Sequence, residues 1–200
     1  MIVLFGPAGS GKSEQGQRIA RKYGWRWLSV GQLLRDQNDP KINADLKTGD
    51  LFDDVFVTKL MQGAMMQAEA DGTEVVLDGY PRNEVQAKWM RENGDVRMLE
   101  GAIVLSVPKE ELWKRIDVRG RTDDKEGVVE KRWEIFEQNI CSILPLLEAE
   151  NVKITTVDGV GSVEEITRRI EDVLGDWGVL DDDASVIGRM GGRDECSYGE

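Results

Sequence analysis

Apolar residues fall into two patterns along this chain. Nearly unbroken runs at 3–5, 75–77 and 102–107 alternate with longer stretches whose apolar positions recur every three to four residues. Continuous apolar runs mark strands of a parallel sheet buried on both faces. Weaker runs at 27–29 and 153–157 predict two more strands. The 3.6-residue period predicts helices over 12–23, 31–36, 54–70, 84–92, 109–118, 127–139 and 163–174. Strand-like runs alternating with helical stretches predict an α/β fold, a parallel central sheet with helices on both faces. There is no internal repeat. The pattern stops near Gly178, where Asp181-Asp182-Asp183 and a glycine-rich stretch begin. Residues 1–177 are therefore expected to form one domain, and 178–200 a disordered acidic tail.

Charge narrows the partners. Twenty-six basic against 38 acidic residues give a net charge of -12, which argues against a broad nucleic-acid surface. An anionic substrate would need a local basic cluster. The chain has no histidine, which removes imidazole from any acid–base or metal-binding scheme. Cys141 and Cys196 stand far apart and in no metal spacing. No run reaches membrane-spanning length, and no signal-peptide pattern opens the chain. A cytoplasmic protein with no membrane partner is expected. The six tryptophans sit mostly among apolar neighbours, where core packing is the expected role. Trp113 and Trp133 lie close in sequence to the basic cluster described below.

Candidate chemistry is concentrated in four segments. Gly6-Pro7-Ala8-Gly9-Ser10-Gly11-Lys12-Ser13 follows the first strand and opens the first helix. This is the context that a phosphate-binding loop requires: glycines let backbone N–H groups converge, the helix turns its positive end to the same point, and Lys12 reaches the terminal phosphates. Asp78 closes the second apolar run, ahead of Gly79-Tyr80-Pro81-Arg82. There, at the carboxyl edge of the sheet, it can hold Mg²⁺ through water; a plain Asp-Gly turn is the alternative. Arg115, Arg119, Arg121 and Arg132 crowd like charges at a cost unless anions sit between them, and guanidinium forks suit phosphate oxygens. Ser29 to Arg35 leads a short strand into a helix, with Arg35 one turn on.

Taken together, these segments resemble the adenylate kinases, within the wider nucleoside monophosphate kinase group, from Met1 to about Leu174. The glycine-rich loop, Leu33-Leu34-Arg35, Asp78-Gly-Tyr-Pro-Arg82, Gln86, Arg119-Gly-Arg121-x-Asp123-Asp124 and Arg132 occur in family order. The resemblance implies a P-loop three-layer α/β/α core, a small helical monophosphate-binding insert over about 29–58, and a short lid over about 118–126. It implies transfer of the terminal phosphoryl of ATP to AMP, giving two ADP, with Mg²⁺ as cofactor and a monomeric state. Long-lid relatives carry a zinc site built largely from cysteines; none stand here, so no zinc is expected.

By the same resemblance, Gly9, Ser10, Gly11, Lys12, Ser13 and Glu14 meet the ATP phosphates. Arg115 stacks on the ATP adenine, with Gly161 at its edge and Arg119 beside the phosphates. AMP falls to Val30, Arg35, Asp50, Leu51, Phe52, Gly79, Tyr80, Pro81, Arg82 and Gln86, with Gln86 reading its adenine. Arg119, Arg121 and Arg132 bridge both substrates as catalytic groups, along with Lys12 and Asp78; Asp123 or Asp124 assists. The sequence departs from the family at several points. Ser13-Glu14 replaces Gly-Thr, Val30 replaces a threonine, Gln32 a common aspartate and Asp53 a proline, and 35–52 is short. Glu14 could face solvent or the metal. Two rivals follow: a pyrimidine (UMP/CMP) kinase on the same scaffold, and a nucleotide-binding regulatory module with little turnover.

Overall fold

A computed structural model describes residues 1–48, 52–119 and 126–180. Five parallel strands, β1 (Ile2–Phe5), β2 (Arg26–Ser29), β3 (Val75–Asp78), β4 (Gly101–Ser106) and β5 (Lys153–Asp158), lie in the order β2-β3-β1-β4-β5. Ile2 pairs with Val76 on one side and Gly101 on the other, so β1 lies at the centre of the sheet. This α/β architecture is the one expected from the alternation of apolar runs and helical periods.

Although β1 and β3 read as continuous apolar runs, their side chains still alternate between faces. Val3, Phe5, Val75 and Leu77 join one buried cluster, while Ile2, Leu4 and Val76 join another. The first cluster is covered by α4 (Asp54–Ala70), α5 (Glu84–Glu92) and α7 (Glu126–Glu148). The second is covered by α1 (Lys12–Tyr23) and α8 (Val163–Asp176). α8 starts from a complete capping box, Ser162 with Glu165. α2 (Val30–Asp36) follows β2 directly, and α6 (Lys109–Arg119) follows β4.

Two helical features differ from the sequence expectation. α3 (Pro40–Leu46) was not predicted, because its seven residues bury none of their side chains. Its start was nonetheless encoded: Asp39 caps Lys41 N–H at 2.7 Å and Pro40 takes the first helical position. α7 runs past Asn139 to Glu148, through Pro145. Proline there removes one helical N–H and crowds the carbonyl of residue 141. Ile143 and Leu147, buried on either side of it, hold the helix to the core.

Since β1 connects leftward to β2 and the chain later crosses to β4 on its right, the carboxyl end of β1 is a topological switch point. Ligands of open α/β sheets bind there.

Candidate active site

The loop from β1 to α1 fills that switch point. Gly9 and Gly11 have φ of 84° and 91°, a region that penalises other residues. A Cβ on Gly9 would lie 2.9 Å from the Leu112 carbonyl and from Ile116 of α6, so the loop is both bent and pressed against that helix. No side chain caps α1, which leaves its positive end to an anion. Lys12 Nζ folds back to donate to the Pro7 carbonyl at 3.1 Å. Ser10 is fully buried and its hydroxyl finds no partner among the described residues. Glu14 is exposed on α1 and does not line the cleft.

Asp78, 2% exposed, ends β3 next to this loop and accepts a 2.6 Å hydrogen bond from Ser13 Oγ. The cleft above is lined by Lys12, Ser13, Asp78 and Gly79, by Phe52 and Pro81, and by three arginines, Arg35, Arg82 and Arg132. Enclosure pushes the Arg82 guanidinium below its ordinary pKa; Asp78 opposes the shift, and Arg132 and Arg35 add to it. Among the described residues, three guanidiniums and one ammonium thus share a cleft with a single carboxylate. Such a group suits a polyanion.

Each arginine has a hold, local for Arg82 and Arg35 and between helices for Arg132. Arg82 Nε donates to the Gly79 carbonyl at 2.8 Å. Gly79 has a φ of 75°, and a Cβ there would reach within 3.0 Å of the Arg82 guanidinium. Arg35 donates to Gln32 Oε1 at 3.3 Å, and Arg132, on α7, to the Leu46 carbonyl of α3 at 2.8 Å. The arginines on α2, on the β3–α5 loop and on α7 therefore face one cleft.

The remaining site residues are placed less directly. Val30 and Gln86 are each 1% exposed and neither lines the cleft. Gln86 Oε1 accepts from Arg82 N–H at 2.8 Å and its Nε2 donates to Asp54 Oδ1 at 2.8 Å. Tyr80 is fully buried, its hydroxyl 3.4 Å from Thr58 Oγ1, and burial pushes its pKa up to about 12. Arg115 pairs with Glu111 at 2.9 Å, and Gly161 adopts a φ of 132°. Asp50, Leu51, Arg121, Asp123 and Asp124, most of the expected lid, the Arg119 side chain and the tail after 180 lie outside the described residues. Trp113 and Trp133 flank a lysine: Lys109 Nζ lies 5.1 Å and 4.3 Å from their ring centroids.

Residues missed by sequence reasoning are Ile135, Phe136 and Ile140, which line the cleft one and two turns beyond Arg132, and Asp54. Helical spacing from Arg132 could have found the first three; nothing local points from Asp54 to Gln86. Among the described residues, no cluster of three or more acidic or cysteine side chains could hold a metal, and no helix is long and apolar enough to cross a membrane. The oxygen donors Asp78 and Ser13, adjacent at the carboxyl edge, nonetheless suit Mg²⁺, which takes one or two protein ligands and completes its shell with water and substrate phosphates.

Comparison with known proteins agrees with this geometry. The family profile described as "Adenylate kinase" matches residues 4–152. The chain is similar to the adenylate kinase of Thermus thermophilus, with 32% identity over 188 residues, covering 87% of this chain and 96% of that protein. It is 33% identical to that of Maricaulis maris over 187 residues, 86% and 97% of the two chains. Against that of Mycolicibacterium vanbaalenii it is 34% identical over 182 residues, 87% and 98%.

Proposed function

We propose, from the premise that the chain belongs to the adenylate kinase family, a division of labour for its reaction, ATP + AMP ⇌ 2 ADP. The protein is an enzyme, a phosphotransferase, and its cleft must hold two nucleotides end to end. The backbone of Gly9 to Ser13 cradles the ATP phosphates, and Lys12 swings from Pro7 to the terminal one. Arg35 and Arg82 grip the AMP phosphate. Arg132, with Arg119 and Arg121, spans the gap between donor and acceptor. The observation that carries this scheme is the convergence of Lys12, Arg35, Arg82 and Arg132 on one cleft beside Asp78.

Phosphoryl transfer asks for positioning and charge neutralisation more than covalent chemistry. The attacking AMP oxygen is already anionic, so no general base is required. The cations stabilise negative charge as it spreads over the moving phosphoryl. Asp78 and Ser13 would hold Mg²⁺, which when bound draws charge from the ATP phosphates. The insert and lid close over the substrates and exclude water that would hydrolyse ATP. Arg115 and Gly161 flank the ATP base, while Val30, Phe52 and Gln86 form the AMP base pocket, with Asp50 and Leu51 beside it. The protein works without zinc, as a cytoplasmic monomer.

A coupled assay for ADP from ATP with AMP, CMP, UMP or GMP tests the scheme. The kcat/KM for AMP is expected to exceed the others by at least about tenfold, or about 1.4 kcal/mol. A faster reaction with CMP or UMP would replace this assignment with the pyrimidine kinase, and no turnover with any acceptor would favour the regulatory module. One tightly bound zinc per chain, detected by elemental analysis, would contradict the zinc-free lid.

A further inference from the structure

The Gln86 carboxamide is held from both ends. Its Oε1 accepts from Arg82 N–H and its Nε2 donates to Asp54 Oδ1, each at 2.8 Å. The same Oδ1 accepts from Asn83 Nδ2 at 2.8 Å, and Asn83 Oδ1 accepts from Gln86 N–H at 2.9 Å. A carboxylate only accepts and a backbone N–H only donates. Turning the Gln86 amide over would set oxygen against carboxylate and NH₂ against N–H. One orientation survives, fixed by charge type rather than by packing.

Asp54 is not needed to cap its own helix. Asp53 does that, accepting from Phe56 N–H at 2.8 Å. The first-turn position favours a carboxylate, and the side chain is spent on the neighbouring helix. After these bonds the Gln86 amide keeps one lone pair on Oε1 and one hydrogen on Nε2. That pair matches a 6-aminopurine, which offers an amino donor beside a ring-nitrogen acceptor. A 6-oxopurine offers the reverse, an oxo acceptor beside a ring N–H.

We infer that Asp54 is a specificity-determining positioning residue, which locks the Gln86 amide in the orientation that accepts a 6-amino and rejects a 6-oxo purine monophosphate. The inference rests on Gln86 meeting the acceptor base, as proposed above. Gln86 is 1% exposed, so a base reaches it by displacing side chains of the cleft wall. The amide is oriented before the base arrives, and a wrong base leaves buried polar groups unpaired.

The test compares kcat/KM for AMP and for IMP, a 6-oxopurine, in the native protein, Asp54→Asn and Gln86→Ala. Asparagine keeps the shape but can donate as well as accept, so the flipped amide is no longer penalised at that end and only the Arg82 N–H still opposes it. The AMP-to-IMP ratio is expected to fall about tenfold in Asp54→Asn, the loss of roughly one charge-assisted hydrogen bond. A purely structural role would slow both substrates together and leave the ratio unmoved. If Asp54→Asn cannot be purified folded, Asp54→Ala removes the carboxylate that Gln86 and Asn83 bond and is read the same way. An unchanged ratio at position 54, with a lowered ratio in Gln86→Ala, overturns the lock and leaves the base assignment standing. An unchanged ratio in Gln86→Ala shows that this glutamine does not read the base, and removes the lock with it.

Discussion

The phosphate end and the base end of the cleft are built by different means. At the phosphate end, three of the holds are short in sequence, Lys12 with Pro7, Arg82 with Gly79 and Arg35 with Gln32, while Ser13 with Asp78 and Arg132 with Leu46 reach across elements. Backbone conformation sets the short ones, through glycines of positive φ at 9, 11 and 79. The base end is assembled from buried side chains on α2, α4 and α5, and its bonds join residues 29 and 32 positions apart. The first kind of site is carried by contiguous motifs on the central strands. The second depends on how two helices dock. Phosphate handling should therefore respond to single local changes as loss of rate, and base recognition to changes between elements as loss of choice.

The largest effect should come from Lys12→Met. Losing one cation aimed at developing charge should cost about 2.7–4 kcal/mol in the barrier, by analogy with a single oxyanion-hole donor. Steady-state kinetics and circular dichroism should show turnover down by orders of magnitude in a folded protein. Near-native turnover would remove the loop from the reaction. Arg132→Ala should cost less, roughly 1.5–3 kcal/mol, the range of a charged hydrogen bond. It should lower kcat more than it raises KM, because charge is redistributed only in the transition state. A change in KM alone would make Arg132 a uniform binder.

Gly79→Ala sharpens the contrast from the backbone side. The residue would be forced into a left-handed conformation costing about 1–2 kcal/mol, with its Cβ within 3.0 Å of the Arg82 guanidinium. KM for AMP should rise about 5- to 30-fold on that strain, with the AMP-to-CMP preference intact. Loss of that preference would mean that the two ends are not separable.

This contrast also explains what the sequence could say. The start of α1, the bounds of α4 and α5, and the parallel sheet were legible because apolar period and glycine-lysine chemistry act within a few residues. α3 was not, since none of its side chains is fully buried and its apolar spacing is the single pair Ile42 and Leu46. α7 runs past the predicted end at Asn139 and through Pro145, where burial of Ile143 and Leu147 outweighs the helix-breaking residue. Arg35, Arg82 and Arg132 could be picked out by type and position, and the cleft gathers them. For Gln86 the residue could be named but its surroundings could not. That Asp54 and the Arg82 backbone orient it depends on the docking of α4 against α5, which no local pattern encodes.

The smallest effect on activity should come from Tyr80→Phe, where the two ends of the cleft meet. Tyr80 follows the Asp78-Gly79 turn and its hydroxyl reaches Thr58 on α4 at 3.4 Å. So long a bond should contribute less than about 1 kcal/mol, and turnover at pH 7 should be nearly unchanged. The difference should emerge in alkali. Burial holds the Tyr80 pKa at about 12, against 10.0 ordinarily, with Asp95 and Asp54 adding to the shift and the Thr58 bond opposing it. Above pH 10 the unfolded chain releases this proton while the folded chain keeps it. The folded state then binds more protons, so its stability is fully present below pH 10 and falls as pH rises toward 12. Urea midpoints measured across that window should fall more steeply for the native protein than for Tyr80→Phe, because other alkaline groups act on both alike. Parallel curves would show that the hydroxyl ionises as freely inside the fold as outside it. The junction between loop and insert would then be wetter than its zero exposure implies.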